Sequence, residues 1–251
     1  MTSWDPVHYE QFALERLQPG LDLIGRIDAS QPARVVDLGC GTGQLTASLG
    51  ERWPEVEVVG LDQSAEMLER AAPGPRYETG DIDNWRPDRP VDVIFANASL
   101  MWIPDHQQLF PRLATQLAAG GVLAVQMPLS WDQPSHRIMR EVAAGYGVET
   151  LPAPTLEPSD YYQVLKGSVA RTEIWETTYL HRLEGDNPVF AWVSATGMKR
   201  FLNRIDPGNH ADYRDECARQ IRVAYPPDKG GLTTFPFRRL FVLAQAGACT
   251  S

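Results

Sequence analysis

One stretch limits what this chain can become: Val35-Val36-Asp37-Leu38-Gly39-Cys40-Gly41-Thr42-Gly43. A β-branched run leads into an acidic residue and then breaks into three glycines at alternate positions. Apolar residues resume at helical spacing at Leu45, Leu49 and Trp53. The pattern predicts a buried strand, a tight turn and a helix start. Glycines in such a turn let the backbone pass where a Cβ would clash. The helix that follows offers unpaired N–H groups and the positive end of its dipole.

Several glycine-rich turns share these parts. A dinucleotide fold asks for G-x-G-x-x-G, which would put its third glycine at Gln44, and no G-x-x-x-x-G-K-[ST] phosphate loop is present. A bare packing turn is also compatible with three glycines. The arrangement found here, D-x-G-x-G-x-G, resembles motif I of the class I S-adenosylmethionine-dependent methyltransferases. The next apolar run, Val56 to Asp62, ends in a carboxylate roughly 20 residues on, as a ribose site requires.

Taken in order, Asp5 and Pro6 start a helix through Tyr9, Phe12, Ala13 and Leu17, and Pro19 restarts a second one through Ile27. This segment is either a packing helix or a lid carrying Trp4, Tyr9 and Arg16. Ser64 caps a helix through Met67, Leu68 and Ala71, and Arg76–Gly80 is a short third strand. Asp81-Ile82 at its tip suits an adenine, or equally a capped turn. Val91–Ala96 is a fourth strand ending in Asn97-Ala98-Ser99. Asp105 caps a helix through Leu109, Leu113 and Leu117 that Gly120-Gly121 stops, and Val122–Met127 is the fifth strand. Beyond Pro128, helical patterns (135–146, 159–165, 187–196, 209–224) alternate with proline-rich loops, and 172–179 and 235–244 look extended. Alternating strands and helices predict a parallel sheet with right-handed crossovers and ligands at the strands' carboxyl ends. The expected fold is α/β: a Rossmann-like, seven-stranded class I methyltransferase sheet with helices on both faces and a helical cap. Three parts are expected: an N-terminal helical lid (1–30), an S-adenosylmethionine-binding α/β core (31–128), and helical cap insertions plus the last two strands (129–251).

Composition narrows the partners. The formal net charge is -9 and no Lys/Arg stripe is present, which disfavours nucleic acid. An anionic small molecule would have to be met by local cations. The three cysteines (Cys40, Cys217, Cys249) are far apart without C-x-x-C, and the five histidines lack H-x-x-x-H spacing. Free thiols in a reducing cytoplasm and no metal are therefore expected. No long apolar run suggests a membrane span, and the N-terminus lacks the pattern of a signal peptide.

With the whole chain read, it resembles the trans-aconitate 2-methyltransferase family from end to end. The matching stretches include Trp4-Asp5-Pro6, Asp37-Leu38-Gly39-Cys40-Gly41, Asn97-Ala98-Ser99-Leu100 with Trp102 and His106, Gln126-Met127-Pro128, Tyr161-Tyr162, Trp192-Val193 with Ala195-Thr196-Gly197, and Phe237 to Leu243. The resemblance implies methyl transfer from S-adenosyl-L-methionine to one carboxylate of a small polycarboxylic acid, giving a monomethyl ester. A carboxylate is already ionised at pH 7, so no general base is needed and positioning carries catalysis. The donor is then expected on Tyr9, Arg16, Asp37, Gly39, Cys40 and Gly41, on Asp62, Gln63 and Met67, and on Asp81, Ile82, Asn97 and Ala98. The acceptor is expected on Trp4, Trp102, Gln126, Tyr162, Trp192 and Arg239, with Trp102, His106 and Tyr162 positioning it.

One departure bears on the acceptor. Family members tend to carry Arg-x-Arg-Pro at the end of the first helix, where this chain reads Arg16-Leu17-Gln18-Pro19, and no arginine occurs between Tyr146 and Arg171. Gln18 is thus expected to weaken tricarboxylate binding, and Gln18→Arg to restore it. Two other readings stay open: an O- or C-methyltransferase of a secondary metabolite with His106 or Tyr162 as base, and a donor-binding protein without catalysis. A monomer or weak dimer in the cytoplasm is expected.

Overall fold

In the computed structural model, residues 12–149 and 151–248 are described; Trp4, Tyr9 and Cys249 lie outside them. Among the described residues the strands are β1 (Arg34–Leu38), β2 (Glu57–Asp62), β3 (Arg76–Thr79), β4 (Val91–Asn97), β5 (Leu117–Pro128), β6 (Arg171–Leu183) and β7 (Thr233–Gln245). They form one sheet in the order β3-β2-β1-β4-β5-β7-β6. The first five run parallel, and β7 is antiparallel to β5. Val35, Val36, Leu38, Val93, Ile94 and Phe95 are buried in the central strands. Their unbroken apolar runs are what strands covered on both faces demand. The strand order reverses between β1 and β4, so a ligand crevice is expected at their carboxyl ends.

Three local expectations are corrected. The chain does not restart at Pro19: a continuous helix, α1 (Ala13–Arg26), carries Pro19 inside it. Pro19, Gly20, Leu23, Ile24 and Ile27 form one buried stripe, and packing of that stripe outweighs the backbone hydrogen bond that proline forgoes. The helix after Asp105 ends early as well. It spans His106–Ala114, and β5 begins at Leu117, so Gly120 and Gly121 lie within a strand rather than at a helix stop. Leu117 pairs with Val91, and the register shifts between Val91 and Val93. Gly120 takes φ +75°, and a Cβ on Gly121 would stand 3.0 Å from the Ala118 and Val91 carbonyl oxygens. A helix stop and a kinked strand ask for the same residue type. Finally, the helix capped by Ser64 covers only Ala65–Leu68.

The chain divides into two compact units. The larger holds Leu17–Pro128, Pro154–Thr177 and the chain from Arg239 on, and includes β1 to β5. Besides the part of α1 from Leu17 on, its helices are α2 (Gln44–Arg52), α3 (Ala65–Leu68), α4 (His106–Ala114) and α6 (Asp160–Leu165). The smaller unit is built from the remaining described residues. It contains α5 (Pro134–Ala144), α7 (Pro188–Ser194), α8 (Lys199–Leu202) and α9 (His210–Ala224). These close around Met139, Trp192, Phe201, Tyr213, Ile221 and Phe235. No helix among the described residues is long and apolar enough to cross a membrane.

A pH-dependent contact sits in that smaller core. His136 Nε2 lies 3.0 Å from Ser130 Oγ and Nδ1 lies 3.2 Å from Ser135 Oγ. Gly197 leaves room for the ring, since a Cβ there would come within 3.2 Å of Nε2. Burial, and then the Arg140 charge, push the imidazole pKa down to about 4. A depressed histidine pKa means that the fold prefers the neutral ring. Its contribution is complete above the unfolded value near 6.5 and is lost as pH falls from there toward 4. Denaturant titrations should show wild type losing about 2–3 kcal/mol more than His136→Gln between pH 7 and pH 4.5. Equal losses in the two proteins would remove His136 from the acid response.

Candidate active site

The glycine turn at the end of β1 gives each glycine a different task. All three take positive φ: +79° at Gly39, +56° at Gly41 and +69° at Gly43. A Cβ on Gly39 would lie 2.3 Å from Ser99 Cβ, and one on Gly43 would lie 2.3 Å from the Tyr77 hydroxyl oxygen. Those two positions are filled by the protein itself. Around Gly41 nothing comes within 4 Å of such an atom, so this glycine fronts open space where a ligand can approach the backbone.

Asp62, at the tip of β2, ties the turn to the next helix. Its Oδ2 accepts the Gly41 N–H at 2.9 Å, and its Oδ1 accepts the Ser64 N–H at 2.9 Å. Each carboxylate oxygen keeps a second lone pair for an outside donor, the need of a vicinal diol. Asp37 is buried, and Thr46 Oγ1 donates to its Oδ2 at 2.6 Å. Burial raises its pKa to about 7, against the Thr46 bond and with some help from the Asp62 charge. Its ionised form is therefore favoured by any cation brought to this turn. Cys40 is half-buried, and burial, with Asp37 and Asp62, pushes its thiol far up, which favours the neutral thiol over the thiolate.

At the tip of β3, Asp81 closes a local turn: Oδ1 accepts the Asp83 N–H at 3.0 Å and Oδ2 accepts the Asn84 amide at 2.8 Å. Ile82 is buried and approaches Gly39, its Cδ1 being 3.4 Å from a Cβ built there. Met67 is half-buried on α3, and Gln63 is exposed. At the tips of β4 and β5, Asn97 is the register partner of Gln126, and the Ala98 N–H donates to the Gln126 carbonyl at 2.9 Å. Ala98 takes φ +54°, unusual for a residue with a Cβ. Gln126 is fully buried, and neither atom of its carboxamide has a hydrogen-bond partner among the described residues; the same holds for Asn97 Oδ1.

His106, weighed as a base, is committed elsewhere. Its Nε2 faces the Leu100 carbonyl at 2.9 Å, so that nitrogen carries the proton. Nδ1 then accepts from the Tyr161 hydroxyl at 2.6 Å, and the Tyr161 oxygen in turn accepts the Leu156 N–H at 3.2 Å. Burial lowers the His106 pKa and keeps the ring neutral. The chain of bonds anchors the short 3-10 turn Leu100–Trp102 to α6, leaving no lone pair on the ring for a substrate proton. Trp102 and Tyr162 stand out from that frame, 51% and 47% exposed.

Other expected residues fall in different surroundings. In the smaller unit the Arg16 guanidinium lies 4.4 Å from the Trp192 ring centroid and donates to the Trp192 carbonyl at 3.2 Å. Trp192 itself is buried, with Phe12, His181, Phe235 and Phe237 around it. Arg239 is buried in β7 beside Pro128. Gln18 is exposed on α1, where its amide donates to Asp22 Oδ1 at 2.7 Å. An arginine at 18 therefore meets Asp22 first, as an i,i+4 pair. The expected gain from Gln18→Arg is accordingly revised to less than about twofold in kcat/KM for a tricarboxylate, a surface pair contributing little. Steady-state kinetics on both proteins check this, and a tenfold gain would return Gln18 to the acceptor site.

Comparison with known proteins identifies the lineage of this arrangement. A family described as methyltransferase domain matches residues 35–121, the span of the glycine turn and β1 to β4. The trans-aconitate 2-methyltransferase of Methylobacterium radiotolerans is 41% identical over 257 residues, covering 98% of this chain and 99% of its own. That of an Azoarcus species is 41% identical over 251 residues, covering 97% and 99%. The chain belongs to the trans-aconitate 2-methyltransferase family. The fold is shared more widely: the YcgJ protein of Bacillus subtilis superposes with a TM-score of 0.60 at 15% identity, over 92% of this chain and 99% of that one.

Within the family frame, several residues that shape the turn carry no local signal in the sequence. Tyr77 fills the space behind Gly43 and Gly60 and donates to the Ala72 carbonyl at 2.8 Å. Ser99 Oγ donates to the Leu38 carbonyl at 2.6 Å, and Arg112 holds the Ile82 and Trp85 carbonyls at 3.1 and 3.2 Å. Each acts across more than 25 residues of chain except the short Tyr77–Ala72 link. The fixing of Asp37 by Thr46 was within reach, since Thr46 sits one turn into the helix that the glycines open.

Proposed function

We propose that the protein transfers a methyl group from S-adenosyl-L-methionine to one carboxylate of trans-aconitate or a closely similar polycarboxylic acid, giving a monomethyl ester. The observation that carries this reading is the combination of an open Gly41 beside a two-oxygen Asp62 clamp with a histidine that is locked out of proton transfer. Family membership supports the same acceptor class. When bound, the donor supplies a sulfonium methyl. Asp62 holds the ribose hydroxyls, and Asp81 with Ile82 receives the adenine. Asp37, Gly39, Cys40 and Gly41 face the methionine end together with Asn97 and Ala98, and Gln63 and Met67 border the nucleoside. Tyr9 and Arg16 are assigned to the donor as well. Trp4, Trp102, Gln126, Tyr162, Trp192 and Arg239 select the acceptor, with His106 setting the position of Trp102. In this reading 31–128 is the donor-binding core, 1–30 serves as the lid, and 129–251 forms the cap and completes the sheet. The enzyme works in the cytoplasm on a free acid, as a monomer or weak dimer, with no call on membrane; nucleic acid as a partner is opposed by the net charge of -9.

An acceptor needing deprotonation, such as a phenol or a carbon acid, loses His106 as its base, because that ring is consumed by Leu100 and Tyr161, and would have to rely on the phenol of Tyr162, a weak base at pH 7. Turnover of methyl-labelled donor with trans-aconitate, other di- and tricarboxylic acids, monocarboxylic acids and phenols tests the reading. Transfer to trans-aconitate with ester formation is expected. Transfer to phenols alone, or to none of the acids, would overturn it.

A further inference from the structure

We propose that the Gln126 carboxamide, not a guanidinium, holds the reacting carboxylate of the acceptor. Gln126 is the last β5 residue paired with β4 and is 0% exposed, and both its Oε1 and Nε2 lack partners among the described residues. A buried amide without partners opposes folding, and a leucine or methionine of similar size would not. The cost is incurred where ligands gather in such sheets, at the carboxyl end of a central strand. Its surroundings fix the group in place. Asn97 is its register partner on β4 and Phe241 its partner on β7. The Asn97 side chain packs against α1, where Gly20 leaves room: a Cβ on Gly20 would come within 3.2 Å of Asn97 Cγ. The Ala98 N–H grips the Gln126 carbonyl from a backbone at φ +54°. Two amides thus lie side by side on one face, with Asn97 Oδ1 also lacking a partner.

The chemistry explains why an amide suits this place. A carboxylate oxygen forms the new O–CH3 bond while the C–S bond breaks and its electron pair stays on sulfur. The products are the methyl ester and S-adenosylhomocysteine, and no proton moves. Opposite charges disappear in that step, so a dry site favours it. A guanidinium on the reacting carboxylate would stabilise the very charge that must be spent, and would do so more in the ground state than in the transition state. A neutral N–H donor fixes the spectator oxygen and leaves the other oxygen nucleophilic. Gln126 Oε1 is then free to accept the amide N–H of Asn97 or an ordered water once the site is filled. Cations remain necessary only for the carboxylates that do not react.

This assignment rests on the carboxyl-methyltransferase reading, and the experiment separates the two. Wild type, Gln126→Leu and Gln126→Met are compared by thermal melting, by calorimetric titration with S-adenosylmethionine, and by kinetics with trans-aconitate. Both variants should melt at or above the wild-type temperature, bind the donor within twofold, and lose at least about 30-fold in kcat/KM for the acid. A loss under threefold in a wild type that methylates trans-aconitate would overturn the Gln126 proposal alone. Lower melting with activity per folded molecule retained would also overturn it, by making the amide structural. A wild type that binds the donor and methylates no carboxylic acid would overturn the functional reading and this proposal with it.

Discussion

Asp62→Ala should raise the dissociation constant for S-adenosylmethionine by more than about 100-fold, corresponding to roughly 3 kcal/mol or more. Two losses combine. The ribose hydroxyls lose a charged acceptor, and hydrogen bonds to charged groups contribute about 1.5–3 kcal/mol each. In addition, the Gly41 and Ser64 N–H groups lose the oxygens that hold them at 2.9 Å. The turn that fronts the ligand is then free to drift before binding. Asp62→Asn should fall between, because its amide offers one acceptor and places an N–H against one of the two backbone donors. Calorimetric titration of the three proteins decides the point. Affinity retained within threefold in Asp62→Ala would show that the carboxylate is only a brace for the turn.

How far the sequence reveals this protein depends on how local each cause is. The Val35–Gly43 turn, the strand ending at Asp62 and the Ser64 cap were legible because each is determined by a few adjacent residues. The five parallel strands followed from alternating strand and helix patterns, and the extended stretches 172–179 and 235–244 completed the seven-stranded sheet, with β7 antiparallel to β5. Gly120-Gly121 misled because a helix stop and a kink in a strand both need backbone that tolerates crowding or positive φ, and only pairing of Leu117 with Val91 tells them apart. Pro19 misled because the local rule for proline is overridden by the buried stripe from Pro19 to Ile27. The commitment of His106 to Leu100 and Tyr161 was hidden, since one of its two partners lies 55 residues away. A histidine next to a strand tip reads as a base until its second nitrogen is accounted for.

The glycines of the turn were legible as a set, but not their separate roles, and the contrast between two of them yields the sharpest test. Gly39→Ala should destabilise the fold by roughly 3–5 kcal/mol, the sum of an unfavourable left-handed backbone and a core overlap. The overlap cannot relax easily. The new Cβ would stand 2.3 Å from Ser99 Cβ, and Ser99 is itself pinned by its 2.6 Å bond to the Leu38 carbonyl. Gly41→Ala meets nothing within 4 Å and takes φ +56°, so it should cost only about 1–2 kcal/mol, a melting shift of a few degrees. Its methyl, however, enters the space through which the donor reaches the backbone, and donor affinity should fall at least about tenfold. The two alanines therefore separate stability from binding: one protein melts early, while the other stays folded and binds poorly. Thermal melting and donor titration on both variants read the result. A Gly41→Ala protein that binds S-adenosylmethionine like wild type would mean that the donor does not pass over this turn, and the site would have to be sought at another strand tip.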